Sequence, residues 1–94
     1  MYAVIRQYQF DQSAGEAVDR QVREILVPRL KALPGCVTYY GLHSGAGFNA
    51  SLSVFESKAG AKASVRAAAN FVQQHLLDIL SKPEILEGEV QAHA

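Results

Sequence analysis

Helical periodicity occurs in two separate stretches of this chain, each bracketed by segments of strand character, and this alternation constrains the fold more than any motif. In the first stretch Ala14, Val18, Val22, Ile25, Leu26, Leu30 and Leu33 recur at the three-and-four spacing of one helical face. Ser13 followed by Glu16 has the form of a capping box at its start, and Asp19/Arg23 and Glu16/Arg20 supply i,i+4 pairs on the outside. Pro28 removes the bond to the carbonyl of Glu24 and is expected to bend the last turns before Pro34-Gly35 stops the helix. In the second stretch the stripe is Ala61, Val65, Ala68, Val72, Leu76 and Ile79, with Phe71 and His75 on its flank. Ser57 is placed to cap it and Ser81-Lys82-Pro83 to end it.

The flanking segments read as strands because β-branched and aromatic residues dominate them and turn residues bound them. They are Tyr2 to Phe10, Cys36 to His43, Asn49 to Phe55 and Glu89 to His93, the middle two joined by the hairpin signal Ser44-Gly45-Ala46-Gly47. The order β-α-β-β-α-β predicts an α+β chain of ferredoxin-like type, a single domain over 1–94 in which two helices cover one face of a four-stranded antiparallel sheet. The other face needs a cover of its own. On the first strand Ala3, Ile5, Gln7 and Gln9 share one side and Tyr2, Val4, Arg6, Tyr8 and Phe10 the other, so neither side is simply polar. A homodimer that buries the open sheet face against a second copy accounts for this pattern.

Charge and cysteine content exclude several classes. Nine basic and nine acidic residues give no net charge, and neither sign is concentrated anywhere, so the footprint of a nucleic-acid or anionic-membrane binder is missing. No apolar run is long enough to cross a bilayer as a helix. Cys36 is the single cysteine and forms no internal disulfide, and MYAVIRQYQF lacks the pattern of a secretory signal, so a reducing cytoplasm is expected. Cys36 has no nearby basic residue to stabilise a thiolate, no His, Cys, Asp or Glu grouping has metal-ligand spacing, and the Gly-Ala-Gly segment precedes a strand instead of a helix. Neither a metal nor a nucleotide cofactor is called for.

Four segments, YAVIRQY, ALPGCVTYYGL, LSVFESKAGAKAS and EGEVQAH, together resemble the antibiotic biosynthesis monooxygenase family across nearly the whole chain. The resemblance implies a dimeric α+β barrel and, in activity, a cofactor-independent monooxygenase acting on a small aromatic or quinol-type substrate between sheet and helices. The family also includes heme-degrading members that use an Asn on strand one and a Trp and a His on helix two. The nearest equivalents here are Gln7, Phe71 and His75, and both the substitutions and the one-turn spacing of the last two argue against heme cleavage.

Within that frame His75 is the candidate catalytic proton acceptor or donor, since at 100° per residue it lies about 20° from Ala68 on the helical wheel. The resemblance turns the Ala3/Ile5 side toward the helices and so places Gln7 in the pocket as an orienting amide. Tyr39 and Tyr40 point to opposite sides of their strand, so one faces the pocket and can hydrogen-bond a substrate oxygen while the other faces the dimer contact. Phe55 and Phe71 are candidate apolar walls. A competing reading needs no chemistry: a non-catalytic dimeric module that uses the same pocket to bind a small ligand, or that serves interaction alone.

Overall fold

The computed structural model describes residues 1–43, 48–76 and 83–94. Its strands are β1 (Tyr2–Gln9), β2 (Cys36–His43), β3 (Phe48–Phe55) and β4 (Glu84–Glu89), and they form one sheet in the order β2-β3-β1-β4 with every neighbouring pair antiparallel. The helices are α1 (Gly15–Gln21), a π-helical turn (Val22–Leu26), α2 (Val27–Lys31) and α3 (Lys58–His75). This is the expected ferredoxin-like α+β arrangement, with both helical arms on one face of the sheet. The hairpin turn at 44–47 and the end of the second helical stretch at 77–82 lie outside the described residues.

The first arm departs from expectation at its start and in its middle. The cap is Asp11 and not Ser13: Asp11 Oδ1 accepts from the Ser13 amide at 2.9 Å and from the Ser13 hydroxyl at 2.8 Å, and its carbonyl accepts from the Ala14 amide at 2.9 Å. A short 3-10 turn, Gln12–Ala14, intervenes before α1, so Glu16 falls too late to complete a capping box. Pro28 is absorbed by the π-helical turn. There the Val27 amide bonds the Val22 carbonyl, a five-residue step that lets the chain pass a residue with no amide hydrogen to offer. Gly35, at a φ of 78°, then reverses the chain, and its carbonyl accepts from the Glu56 amide at 2.8 Å. In the second arm Ser57 caps α3 as expected, its hydroxyl accepting from the Gly60 amide at 3.2 Å.

The last strand is Glu84–Glu89 instead of Glu89 to His93. Its register sets Tyr2, where β1 starts, opposite Glu89, so the alternating residues beyond lie past the end of the only strand they adjoin. The core fills the space between sheet and helices. Val18, Leu30, Phe71 and Leu76 anchor one cluster, and Val4, Phe55 and Ala61 a smaller one. Between the helical arms the Arg29 guanidinium donates to Gln74 Oε1 at 3.1 Å, an exposed tie from α2 to α3.

Candidate functional site

The side of β1 that faces the helices is the aromatic one, Tyr2, Val4, Arg6, Tyr8 and Phe10, the reverse of what the resemblance implied. Alternation along a strand carries no sign, and the larger set fills the deep space under the helices. Gln7 therefore lies exposed on the open face, in register with Ala50 of β3 and Glu84 of β4, and is not a pocket residue. On β2 the choice between the two tyrosines is made by a bulge at Val37: Cys36 pairs with Phe55 and Thr38 with Val54, so one extra residue is taken up and every later side chain changes face. Tyr39 faces the helices, while Tyr40, 60% exposed, faces away and so is corrected out of the pocket.

Under α3 the helix-facing side of the sheet is low. Ser51, Arg6 and Ile85 lie opposite one another across β3, β1 and β4, and Ala68 and Ala69 of α3 line the space with them. Small residues on both layers leave a cavity of about 270 Å³, open to solvent at one side. Val22 and Leu26 of the π-helical turn and Phe71, Val72 and Leu76 of α3 form its apolar walls. The polar groups are few and gathered on the sheet side: Arg6, Tyr8 and Ser51, with Gln73 contributed by α3.

Arg6 is the unusual member. It is 5% exposed, and one terminal nitrogen, Nη1, donates to the Ser64 carbonyl at a long 3.4 Å. That carbonyl belongs to α3, where the Ser64 hydroxyl donates back to the Ala61 carbonyl at 2.6 Å. The other nitrogen, Nη2, is buried with no partner among the described residues, and Ser53 Oγ on the same side of the sheet is likewise buried and unpartnered there. Among the described residues no carboxylate pairs with Arg6; the ion pair found there, Arg23 with Asp19 at 3.5 Å, is an exposed helical one. Burial pushes the Arg6 guanidinium below its usual value, with Tyr39 and Tyr8 acting weakly the other way. Burial also pushes both tyrosine hydroxyls upward, with Arg6 acting the other way at each, so each stays a neutral donor.

Of the remaining candidates, Phe71 lines the cavity. Phe55 is fully buried in the smaller cluster, against Val4 and Ala61, and is core instead of wall. His75 is exposed, at the last residue of α3, with its ring centroid 5.4 Å from that of Phe71. The helical wheel gives a direction but no depth, and in the final turn of α3 that direction leads to solvent, so Leu76 takes the buried place. Gln7, Phe71 and His75 thus do not converge on a common space, and no heme site is assembled from them.

Neither a family model nor a curated protein sequence matches the chain. Solved structures do. A protein of unknown function from Nitrosomonas europaea superposes with a TM-score of 0.83 over 99% of this chain and 91% of its own, at 20% identity. An antibiotic biosynthesis monooxygenase gives 0.77 over 98% and 100%, at 17% identity. The chain has the antibiotic biosynthesis monooxygenase fold. A variant of MhuD, solved with two manganese protoporphyrin IX molecules per active site, is similar at a TM-score of 0.77 over 100% of this chain and 98% of its own, at 16% identity. These identities establish architecture, and the residues of the cavity must argue its use. Sequence reasoning missed Arg6, Tyr8 and Ser51, although a lone cation among the aromatics of one strand side was a legible signal.

Proposed function

We propose that this protein is a cofactor-independent monooxygenase that binds a small aromatic or quinol-type substrate in the cavity between sheet and helices. The observation that carries the reading is the cavity itself, apolar in its walls and furnished on the sheet side with neutral and cationic hydrogen-bond donors. An electron-rich ring lies against Phe71, and its oxygen is held by Arg6 and Tyr8. Stabilising the deprotonated substrate suits it to react with dioxygen directly. In an anthrone-type substrate a methylene becomes a carbonyl, taking one oxygen atom while the other leaves as water, and the substrate supplies all the electrons. The fold is shared with a solved antibiotic biosynthesis monooxygenase, which agrees with this reading.

The protein works as a homodimer in this proposal. Tyr40, Leu52, Ile5 and Leu86 form an apolar row across the open face of the sheet, and Tyr40, Leu86 and the nearby Leu42 are 60%, 68% and 61% exposed in the single chain. The cytoplasm is the proposed compartment, on the ground of one unpaired cysteine, Cys36. Among the described residues no helix is long and apolar enough to cross a membrane.

A second reading, the non-catalytic ligand-binding module, is favoured by one observation: His75 is exposed and meets the cavity only by way of Phe71. Oxygen uptake with a panel of anthrone- and quinol-type compounds separates the two. We expect uptake with at least one compound, a fall of roughly tenfold in Tyr8→Phe from loss of one buried hydrogen bond, and no change in His75→Ala. Binding without uptake across the panel would replace the enzyme by the module.

A further inference from the structure

Arg6 is a permanent cation with no countercharge among the described residues, buried where desolvation is costly. Its one described hydrogen bond is long and goes to a neutral helix carbonyl, and its second terminal nitrogen is left without any. Protein interiors rarely leave such a group unsatisfied, and an orphan of this kind calls for an explanation, of which a ligand-binding role is one. The group is also placed to be used, because Arg6 lines the apolar cavity beside Tyr8 and Ser51. The two tyrosines near it are neutral donors and cannot balance its charge. From this geometry we infer that the natural ligand is an anion, a flat apolar molecule whose carboxylate or phenolate oxygen pairs with the Arg6 guanidinium.

The inference rests on reading the cavity as a ligand site and adds the charge of its occupant. A planar guanidinium matches a planar oxyanion, and the bond is charge-assisted in a space where water is scarce. The apolar walls demand that the rest of the molecule be uncharged, and a volume of about 270 Å³ keeps it to a small ring system. Ser51 and Tyr8 stand beside the cation to take the second oxygen of a carboxylate or a neighbouring hydroxyl.

The test compares 1-naphthoate with 1-naphthamide, nearly the same shape with and without the charge, at neutral pH. The chain has no tryptophan, so naphthalene emission reports binding without interference. Naphthoate should bind roughly ten- to a hundredfold more tightly than the amide, the range of one buried charge-assisted bond. A third arm, 1-naphthol, separates the two oxyanion sources: uptake with proton release, read from the buffer dependence of the binding heat, marks a phenolate. In Arg6→Met the preference for the anion should vanish while the amide still binds, which shows that the cavity survives. If the wild type binds naphthoate and naphthol no better than naphthamide, the anion inference falls and the cavity reading stands. If no ring compound binds at all, both fall, and the wild-type comparison decides even where the variant does not fold.

Discussion

Replacing Arg6 by Met should make the unliganded protein more stable. A buried donor without a partner costs about 1–3 kcal/mol, more when charged, and Arg6 Nη2 is such a donor. Against that, the substitution forfeits the 3.4 Å bond to the Ser64 carbonyl. That bond has a charged donor but is long, so it contributes no more than the low end, about 1.5 kcal/mol, of the range for charged groups. Met keeps an unbranched apolar stem close to that of Arg, so the aliphatic packing under α3 is largely retained. The balance favours Met by roughly 1–2 kcal/mol, in line with the gains seen when buried charges give way to apolar groups. For a chain of 94 residues each kcal/mol moves the melting temperature by about 4–8 °C. Thermal and guanidinium unfolding should be followed at several protein concentrations, since association would add its own concentration-dependent term. A melting temperature lowered by more than a few degrees would mean that the guanidinium is satisfied in the resting protein, and the argument from an uncompensated charge would fail. A rise, with loss of anion binding, would identify Arg6 as a group kept for function at a cost in stability.

Three other outcomes follow from particular contacts. Gly60→Ala should destabilise by about 1 kcal/mol despite better helix propensity, because overpacking outweighs the propensity gain: its Cβ would stand 3.1 Å from both Phe55 Cδ1 and the Pro34 carbonyl, and that backbone oxygen cannot swing aside; a higher denaturant midpoint would refute this. Leu86→Glu should turn a dimer into a monomer by light scattering at micromolar concentration, weakening association roughly a hundredfold or more because the change is made on both sides of a two-fold contact; a wild-type monomer under the same conditions ends the dimer proposal. Asp11→Ala should destabilise at neutral pH but progressively less in acid. The two Ser13 bonds hold the Asp11 carboxyl below its usual value, so its contribution is present above the unfolded carboxylate range and is lost as pH falls through the depressed folded value; a stability difference between the two proteins that does not shrink there would contradict the cap.

Much of the architecture was legible in local pattern. Two apolar stripes of helical period, the Ser57 cap, the Pro34-Gly35 stop and the paired strands after it are properties of residues near one another in the chain, and all are present in the fold. The mixed character of strand one was legible too, because both of its alternating sets carry apolar groups. Signs and depths were not. Alternation does not say which side of β1 meets the helices, and a single bulge at Val37 exchanges the roles of Tyr39 and Tyr40. A wheel sets His75 near the angle of Ala68, but it carries no depth, and in the final turn of α3 the side chain is exposed. The end of β4 was misplaced because strand length depends on where the partner strand lies.

Arg6 shows the division most clearly. Its residue type and its place among the aromatics of β1 are written in the chain. That it is buried, that the Ser64 carbonyl reaches only one of its nitrogens, and that a cavity lies against it were decided when α3 was laid over β1 and β3. Burial and partnership belong to space between elements, and only packing the two layers together creates that space.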